Sequence, residues 1–189
     1  MHSIESILKR YRFTSQDEAL LREMADLFLP LQERFSDDFY RYLQEDEHTS
    51  AYFQTDAAIA RRKETIRWWL NEILTSRYDG RFLLKMVRIG KTHVKIGLDG
   101  HYVNAAMSFI RRYFHDQLNQ LVPEPARRES MVETLDKSLD ISLDIMTSSY
   151  REAELKKVFI SQRAELWLVK WAEKLMHGLN LLLMVWSVW

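Results

Sequence analysis

One histidine in this chain stands where an imidazole needs a partner. In the stretch Arg88-Ile89-Gly90-Lys91-Thr92-His93-Val94-Lys95-Ile96-Gly97-Leu98, His93 falls at i+7 from Met86, i+4 from Ile89 and i−3 from Ile96. Helical periodicity therefore turns it inward with those apolar residues. Gly90 and Gly97 lie about one turn to either side. A glycine inside a helix costs about 1 kcal/mol relative to alanine, so two beside one histidine suggest that a flat, wide group lies against this helix. A haem bound through an axial imidazole fills such a space. The other reading of the same residues is a core histidine hydrogen-bonded to a carbonyl. Both readings stand on the local pattern.

The elements that position His93 are helices. With 5 Gly, 3 Pro and no run of alternating apolar and polar residues, the chain reads as all-α. A short helix is expected over 4–10, and a second begins at Ser15 with Glu18 three residues on, a capping-box spacing. Pro30 interrupts it. Phe35, Phe39, Tyr40 and Leu43 then recur at helical spacing, and the polar run 45–50 ends that helix. Thr55-Asp56 caps a helix to about Arg77, with Ile59, Ile66, Trp69, Leu70 and Ile73 inward. Asp79-Gly80 turns into the His93 helix, which ends near Gly97, and Asp99-Gly100 leads into a helix over 101–121. Pro123 and Pro125 open a last helix that continues to the C-terminus, far beyond the usual length of roughly 8 to 20 residues. Met131, Leu135, Leu139 and Ile145 or Met146 are expected to face the core, leaving Ile141, Val158 and Phe159 for a partner.

Composition narrows the function. Lys+Arg and Asp+Glu balance at 27 each, which removes the basic footprint of a nucleic-acid binder. The absence of cysteine excludes disulfides, thiolate metal sites, iron–sulfur clusters and thioether-linked haem. A polar N-terminus and a cysteine-free chain point to the cytoplasm. Residues 175–189 are largely apolar and shorter than the roughly 20 residues of a membrane span. With Trp167, Trp171, Trp186 and Trp189, and with Lys170 and Lys174 before the run, that tail reads either as the start of a membrane span or as a dimer-packing helix.

The residues Arg88-Ile89-Gly90-x-x-His93-x-x-Ile96-Gly97-Leu98, followed by Tyr102 and Ala106, resemble the haem-proximal motif of the globin domain of bacterial globin-coupled sensors, which are haem-based gas sensors. Phe39-Tyr40-x-x-Leu43 resembles that family's distal-helix motif. The resemblance spans about residues 15–150. It implies a globin fold, a three-over-three helical sandwich with an extra N-terminal helix and a long C-terminal helix. Residues 1–150 would form the sensor domain, and 151–189 a helical extension leading to an output module or a membrane.

The cofactor implied is non-covalent haem b, with His93 as the iron ligand and its other ring nitrogen bonded to a backbone carbonyl. Tyr40 would be the distal hydrogen-bond donor to a diatomic gas. Thr65, one turn before Trp69, matches a polar distal position of some members, and a register one residue later would put Ile66 there instead. Gly90, Gly97, Tyr102 and Trp69 would complete the haem surroundings, Tyr102 standing where many members carry tryptophan. No histidine occurs over 57–74, so Lys63 is the nearest alternative distal ligand. Arg61, Arg62 and Lys63 form a basic cluster that reads as propionate partners or as a solvated face. His48, His101, His115 and His177 lack a second ligand at i+3 or i+4 and read as local partners.

The resemblance makes the chain a non-enzymatic gas sensor that dimerises through its last two helices. The alternatives are a globin with nitric-oxide dioxygenase or peroxidase-like activity and a haem-free helical signalling module.

Overall fold

Helices account for every regular element among the described residues, and most begin at a side chain that captures the first free amides. The computed structural model describes residues 3–50 and 55–186, without the side chains of Lys157, Ala164 and residues 175–186. The order is α1 (Ile4–Arg10), α2 (Ser15–Phe28), a 3-10 turn (Leu29–Leu31), α3 (Gln32–Gln44), α4 (Glu47–Ser50), α5 (Asp56–Thr75), α6 (Gly80–Lys95), α7 (Gly100–Leu121) and α8 (Pro125–Trp186). Ser3, Thr55, Asp79 and Asp99 cap α1, α5, α6 and α7 with side-chain oxygens. Pro30 occupies the 3-10 turn between α2 and α3.

One local expectation is corrected. The capping box of α2 is Thr14 with Asp17, one residue earlier than the Ser15 and Glu18 pattern. Tertiary contacts choose the frame: the Asp17 carboxylate accepts the Thr14 amide at 2.7 Å and also takes Thr134 and Lys137 of α8 at 3.0 and 3.2 Å. Glu18 is used elsewhere, accepting the amide of Tyr78 at 2.9 Å. The polar run 45–50 ends α3 at Gln44 as expected, and within it Asp46 accepts the amides of His48 and Thr49 and starts the single turn α4.

The chain divides into two compact units, residues 1–150 and 151–189. In the first, α5 packs on α2 and α3, and α7 packs on α3 and α2. Phe28, Phe35 and Phe114 meet at its centre, with ring centroids 4.5 and 4.9 Å apart for the pairs that include Phe114. Met131, Leu135, Leu139, Ile145 and Met146 of α8 are buried as the periodicity requires. Ile141, expected to await a partner, is fully buried in the same core. Ser138 and Ser142 beside it meet Tyr78 and Trp69, so small polar residues bring this face of α8 close enough to enclose Ile141.

In the second unit, Leu155, Val158, Phe159 and Ile160 are exposed, and the rings of Trp167 and Trp171 stack with centroids 6.4 Å apart. Among the described residues no helix is long and apolar enough to cross a membrane. The side chains of 175–189, including His177 and the apolar tail, lie outside the described residues.

Candidate functional site

The chemistry of the first unit gathers around one cavity of about 640 Å³, within the range of cofactor sites. Its walls come from α3 (Phe39, Tyr40, Leu43), α5 (Arg62, Thr65, Ile66, Trp68, Trp69), α6 (Lys85, Arg88, Ile89, Thr92, His93) and α7 (Tyr102, Val103, Ala106, Met107, Ile110), with Met146 from α8. His93 and Tyr40, 53 residues apart in sequence, therefore share one space.

Helix geometry explains what α6 shows to that space. At about 100° per residue, Lys85, Ile89, Thr92 and Ile96 lie to one side of His93, while Met86 and Gly90 lie to the other. The first side lines the cavity. The second is turned toward α8: a methyl placed on Gly90 would come within 2.9 Å of both the Met146 Cα and the Ser149 hydroxyl, with the Met146 carbonyl closer still. Gly90 thus admits another helix, which corrects the expectation that it admits a porphyrin. Gly97 is corrected likewise. Its φ of +75° places it in the left-handed region, with nothing within 4 Å of the point where a Cβ would stand. The Gly97 amide donates to the Val94 carbonyl at 3.1 Å and the Leu98 amide to the His93 carbonyl at 3.1 Å, the two bonds of a Schellman C-cap. Gly97 ends the helix and fixes the backbone of His93.

His93 is half-buried, and burial, reinforced by the charge of Arg62, holds its pKa below the ordinary imidazole value. The ring is therefore kept neutral, the form that ligates metals. Its Nδ1 is buried with no hydrogen-bond partner, so the expected bond to a backbone carbonyl is absent. The helix spends its nearby oxygens otherwise: the Arg88 carbonyl takes the Thr92 hydroxyl at 2.8 Å, and His93's own carbonyl takes the Leu98 amide. No group of three or more His, Cys, Asp or Glu among the described residues forms a cation cluster. A lone inward imidazole beside a wide apolar cavity is the donor set of an axially ligated haem, and the residues present fit that group.

Tyr40 is buried, and its ring meets Phe39 edge-on at 5.4 Å. Burial raises its pKa well above the usual phenol value, against a smaller opposing effect of Arg62, so the phenol keeps its proton for donation. Thr65 and Ile66 both line the cavity, so the two registers considered for α5 each deliver their residue. Thr65 is exposed, and its hydroxyl donates to the Arg61 carbonyl at 3.0 Å. Its one proton is committed to the helix, which corrects its reading as a second distal donor. Trp69 turns its ring to the cavity and donates Nε1–H to the Ser142 hydroxyl of α8 at 3.4 Å. Tyr102 lines the cavity and stacks on His48, with centroids 5.0 Å apart and planes 9° from parallel.

The remaining candidates separate. Lys63 is paired with Asp37 at 2.6 Å and does not line the cavity, which removes it as a distal ligand. Arg61 is exposed and also absent from the wall, leaving Arg62 as the one member of the basic cluster that reaches it. His48, His101 and His115 stay outside and take local partners: Tyr102, Asp99 at 2.9 Å and Asp136 at 2.9 Å. Sequence reasoning missed Lys85, Arg88, Thr92 and Trp68. The signal was present in the i, i+4, i+7 series Lys85, Ile89, Thr92, but two polar members hid it as a solvated face.

The protoglobin family model matches residues 1–156. The globin domain of the Geobacter sulfurreducens globin-coupled sensor is 35% identical, with a TM-score of 0.77 over 80% of this chain and 99% of that one. The globin domain of E. coli DosC, in ferrous and ferric crystal forms, is 17% identical, with TM-scores of 0.64 and 0.65 over 69% of this chain and 89% of that one. The second likeness shows the globin fold alone. No curated protein matches the chain.

Proposed function

This chain belongs to the protoglobin family, and from that premise we propose that it is a haem-based sensor of a diatomic gas. Haem b, bound without covalent attachment, would supply the iron that binds the gas. The observation that carries the reading is the meeting in one cavity of a neutral, half-buried His93 with an unpartnered Nδ1 and a buried, protonated Tyr40.

His93 is assigned as the iron ligand, held in place by the Schellman bond on its own carbonyl. Tyr40 is the distal donor, able to give one O–H bond to a ligand that gains negative charge on binding. Trp69, Ile66, Phe39 and Leu43 exclude water from that side, and Ile89, Ile96 and Leu98 from the other. Residues 1–150 serve as the sensor domain and 151–189 as the linking extension. The relay begins at α8, because Met146 lines the cavity and also backs Gly90 on the His93 helix, while Ser142 receives Trp69. Differential contacts of this kind are what coupling between two states requires. A homodimer in the cytoplasm completes the proposal.

Absorption spectra of the ferric, ferrous and carbonyl forms, taken on the wild type and on His93→Ala, test the assignment. Wild-type protein should purify red, and the variant should retain less haem or show a shifted ferrous spectrum. Equal haem content with an unchanged spectrum in His93→Ala would remove His93 as the ligand. A colourless wild type that takes up no added haem would remove the sensor reading itself.

A further inference from the structure

Helix α6 carries five lysines and arginines and no aspartate or glutamate. Lys85 is committed to the Glu72 carboxylate at 2.5 Å, and that nearly buried acid needs its counter-charge. Arg81, Arg88, Lys91 and Lys95 are exposed, and none of them joins an ion pair among the described residues. The Asp79 carboxylate, whose field Arg81 shares, is occupied as the cap of α6 by the amides of Arg81 and Phe82. Positions 81, 84, 88, 91 and 95 recur every three or four residues. At about 100° and 1.5 Å per residue they fall within about 80° of arc along about 21 Å of helix. Leu84, 66% exposed, therefore stands inside a straight row of four cations. Trp68 of α5 is exposed at the edge of this row, with the Lys85 ammonium 5.9 Å from the centre of its ring. Met86 and His93 lie across the helix from it.

We propose that this row docks the first unit on the anionic surface of a lipid bilayer, the four cations meeting headgroup phosphates and Leu84 entering between them. The surface is separate from the haem site, since of the five residues in the row Arg88 alone borders the cavity. Charge complementarity selects the partner: each cation held near an anionic leaflet strengthens binding about fivefold. A bilayer also presents negative charge and apolar depth in one plane, which a straight row on one helix can meet without a groove to receive it. Single exposed leucines are common on protein surfaces, but a leucine between unpaired cations with a tryptophan beside them has the composition of a membrane interface. The apolar run 175–189, preceded by Trp167, Lys170, Trp171 and Lys174, has the same chemistry in sequence.

The chain has no cysteine, so Leu84→Cys gives the whole chain a single attachment point for an environment-sensitive fluorophore. Vesicles of phosphatidylcholine with about one third phosphatidylglycerol should shift its emission to the blue, and the shift should fade as salt is raised to about 0.5 M. Vesicles of phosphatidylcholine alone should leave it unchanged. With Lys91→Gln and Lys95→Gln added, half the shift should need about 25-fold more anionic lipid, the product of two cations at about fivefold each. Lys91 and Lys95 do not line the cavity, so circular dichroism and the haem spectrum of that variant should match those of the parent. An emission that anionic vesicles leave unchanged, an equal shift with both vesicle compositions, or an unaltered lipid requirement in the lysine variant would overturn the proposal. A label that responds to poly-glutamate and not to anionic vesicles would overturn it in favour of an acidic protein face.

Discussion

Gly90→Ala tests the assignment of this glycine to the α6–α8 contact, because two effects of opposite sign meet at one methyl group. Alanine is favoured over glycine inside a helix by about 1 kcal/mol, so an isolated α6 would gain. In the folded protein the new Cβ would lie 2.9 Å from the Cα of Met146 and from the Ser149 hydroxyl, where ordinary contact begins at 3.4 Å. The Met146 carbonyl is nearer still and belongs to helix backbone, which cannot swing aside. The helices must part by at least about half an ångström, and a gap of that size already forfeits a quarter or more of the dispersion energy along the contact. Overpacking of this kind costs about 3 kcal/mol at the upper end of its usual range, so after the helical gain the net loss is about 2 kcal/mol. For a chain of this length that is a fall in Tm of about 4 to 8 °C. Gly80→Ala is the control: it opens α6 with nothing within 4 Å, and should be neutral or stabilising by up to about 1 kcal/mol. Gly97→Ala should lose about 1 to 2 kcal/mol through its positive φ, with no packing component. Thermal unfolding by circular dichroism reads all three. A Gly90→Ala protein as stable as the wild type would refute the close approach of α6 and α8, and with it the first step of the relay.

Tyr40→Phe should raise the dioxygen dissociation rate about tenfold to a hundredfold, the equivalent of a charge-assisted hydrogen bond of about 1.5 to 3 kcal/mol, and stopped flow would show it. An unchanged rate would move the distal role away from Tyr40. Asp17→Asn should destabilise the first unit by about 1 to 3 kcal/mol, since the capping box and the bonds to Thr134 and Lys137 share one carboxylate. Burial pushes the Asp17 pKa up, but the bonds from Thr14, Thr134 and Lys137 outweigh it and the net shift is downward. Its ionised form is therefore favoured by folding: that stability is present above the ordinary value of 3.8 and is lost as the pH falls through the lowered one. The gap between wild type and Asp17→Asn should accordingly narrow in acid, as urea titrations at pH 7 and pH 3 would report. Leu155, Val158, Phe159 and Ile160 are exposed in the second unit, so light scattering should find the full chain dimeric at micromolar concentration. A monomer would remove the proposed dimer.

What the sequence determined by itself was whatever depends on near neighbours. The helical period, the cap at Thr55, the turns at Asp79-Gly80 and Asp99-Gly100, the break at Pro30 and the bounds of α1 follow from interactions within a few residues, and a single chain displays them all. The inward register of His93 and the motif around it were legible for the same reason, as was Tyr40 on its own helix. Tertiary structure decided which side of α6 meets which neighbour. Gly90 and His93 are three residues apart and look alike on a helical wheel, yet one abuts the backbone of α8 and the other a cavity, because α8 approaches on only one flank. It likewise set the α2 capping box at Thr14 and Asp17, where α8 supplies Thr134 and Lys137 to the Asp17 carboxylate from more than a hundred residues away. It also sorted the basic residues, since Lys63 and Arg62 are indistinguishable in sequence until Asp37 takes the first and the cavity receives the second. Local geometry is repeated along one chain and can be read there, whereas charge pairing and close packing depend on partners that only the fold brings within a few ångströms.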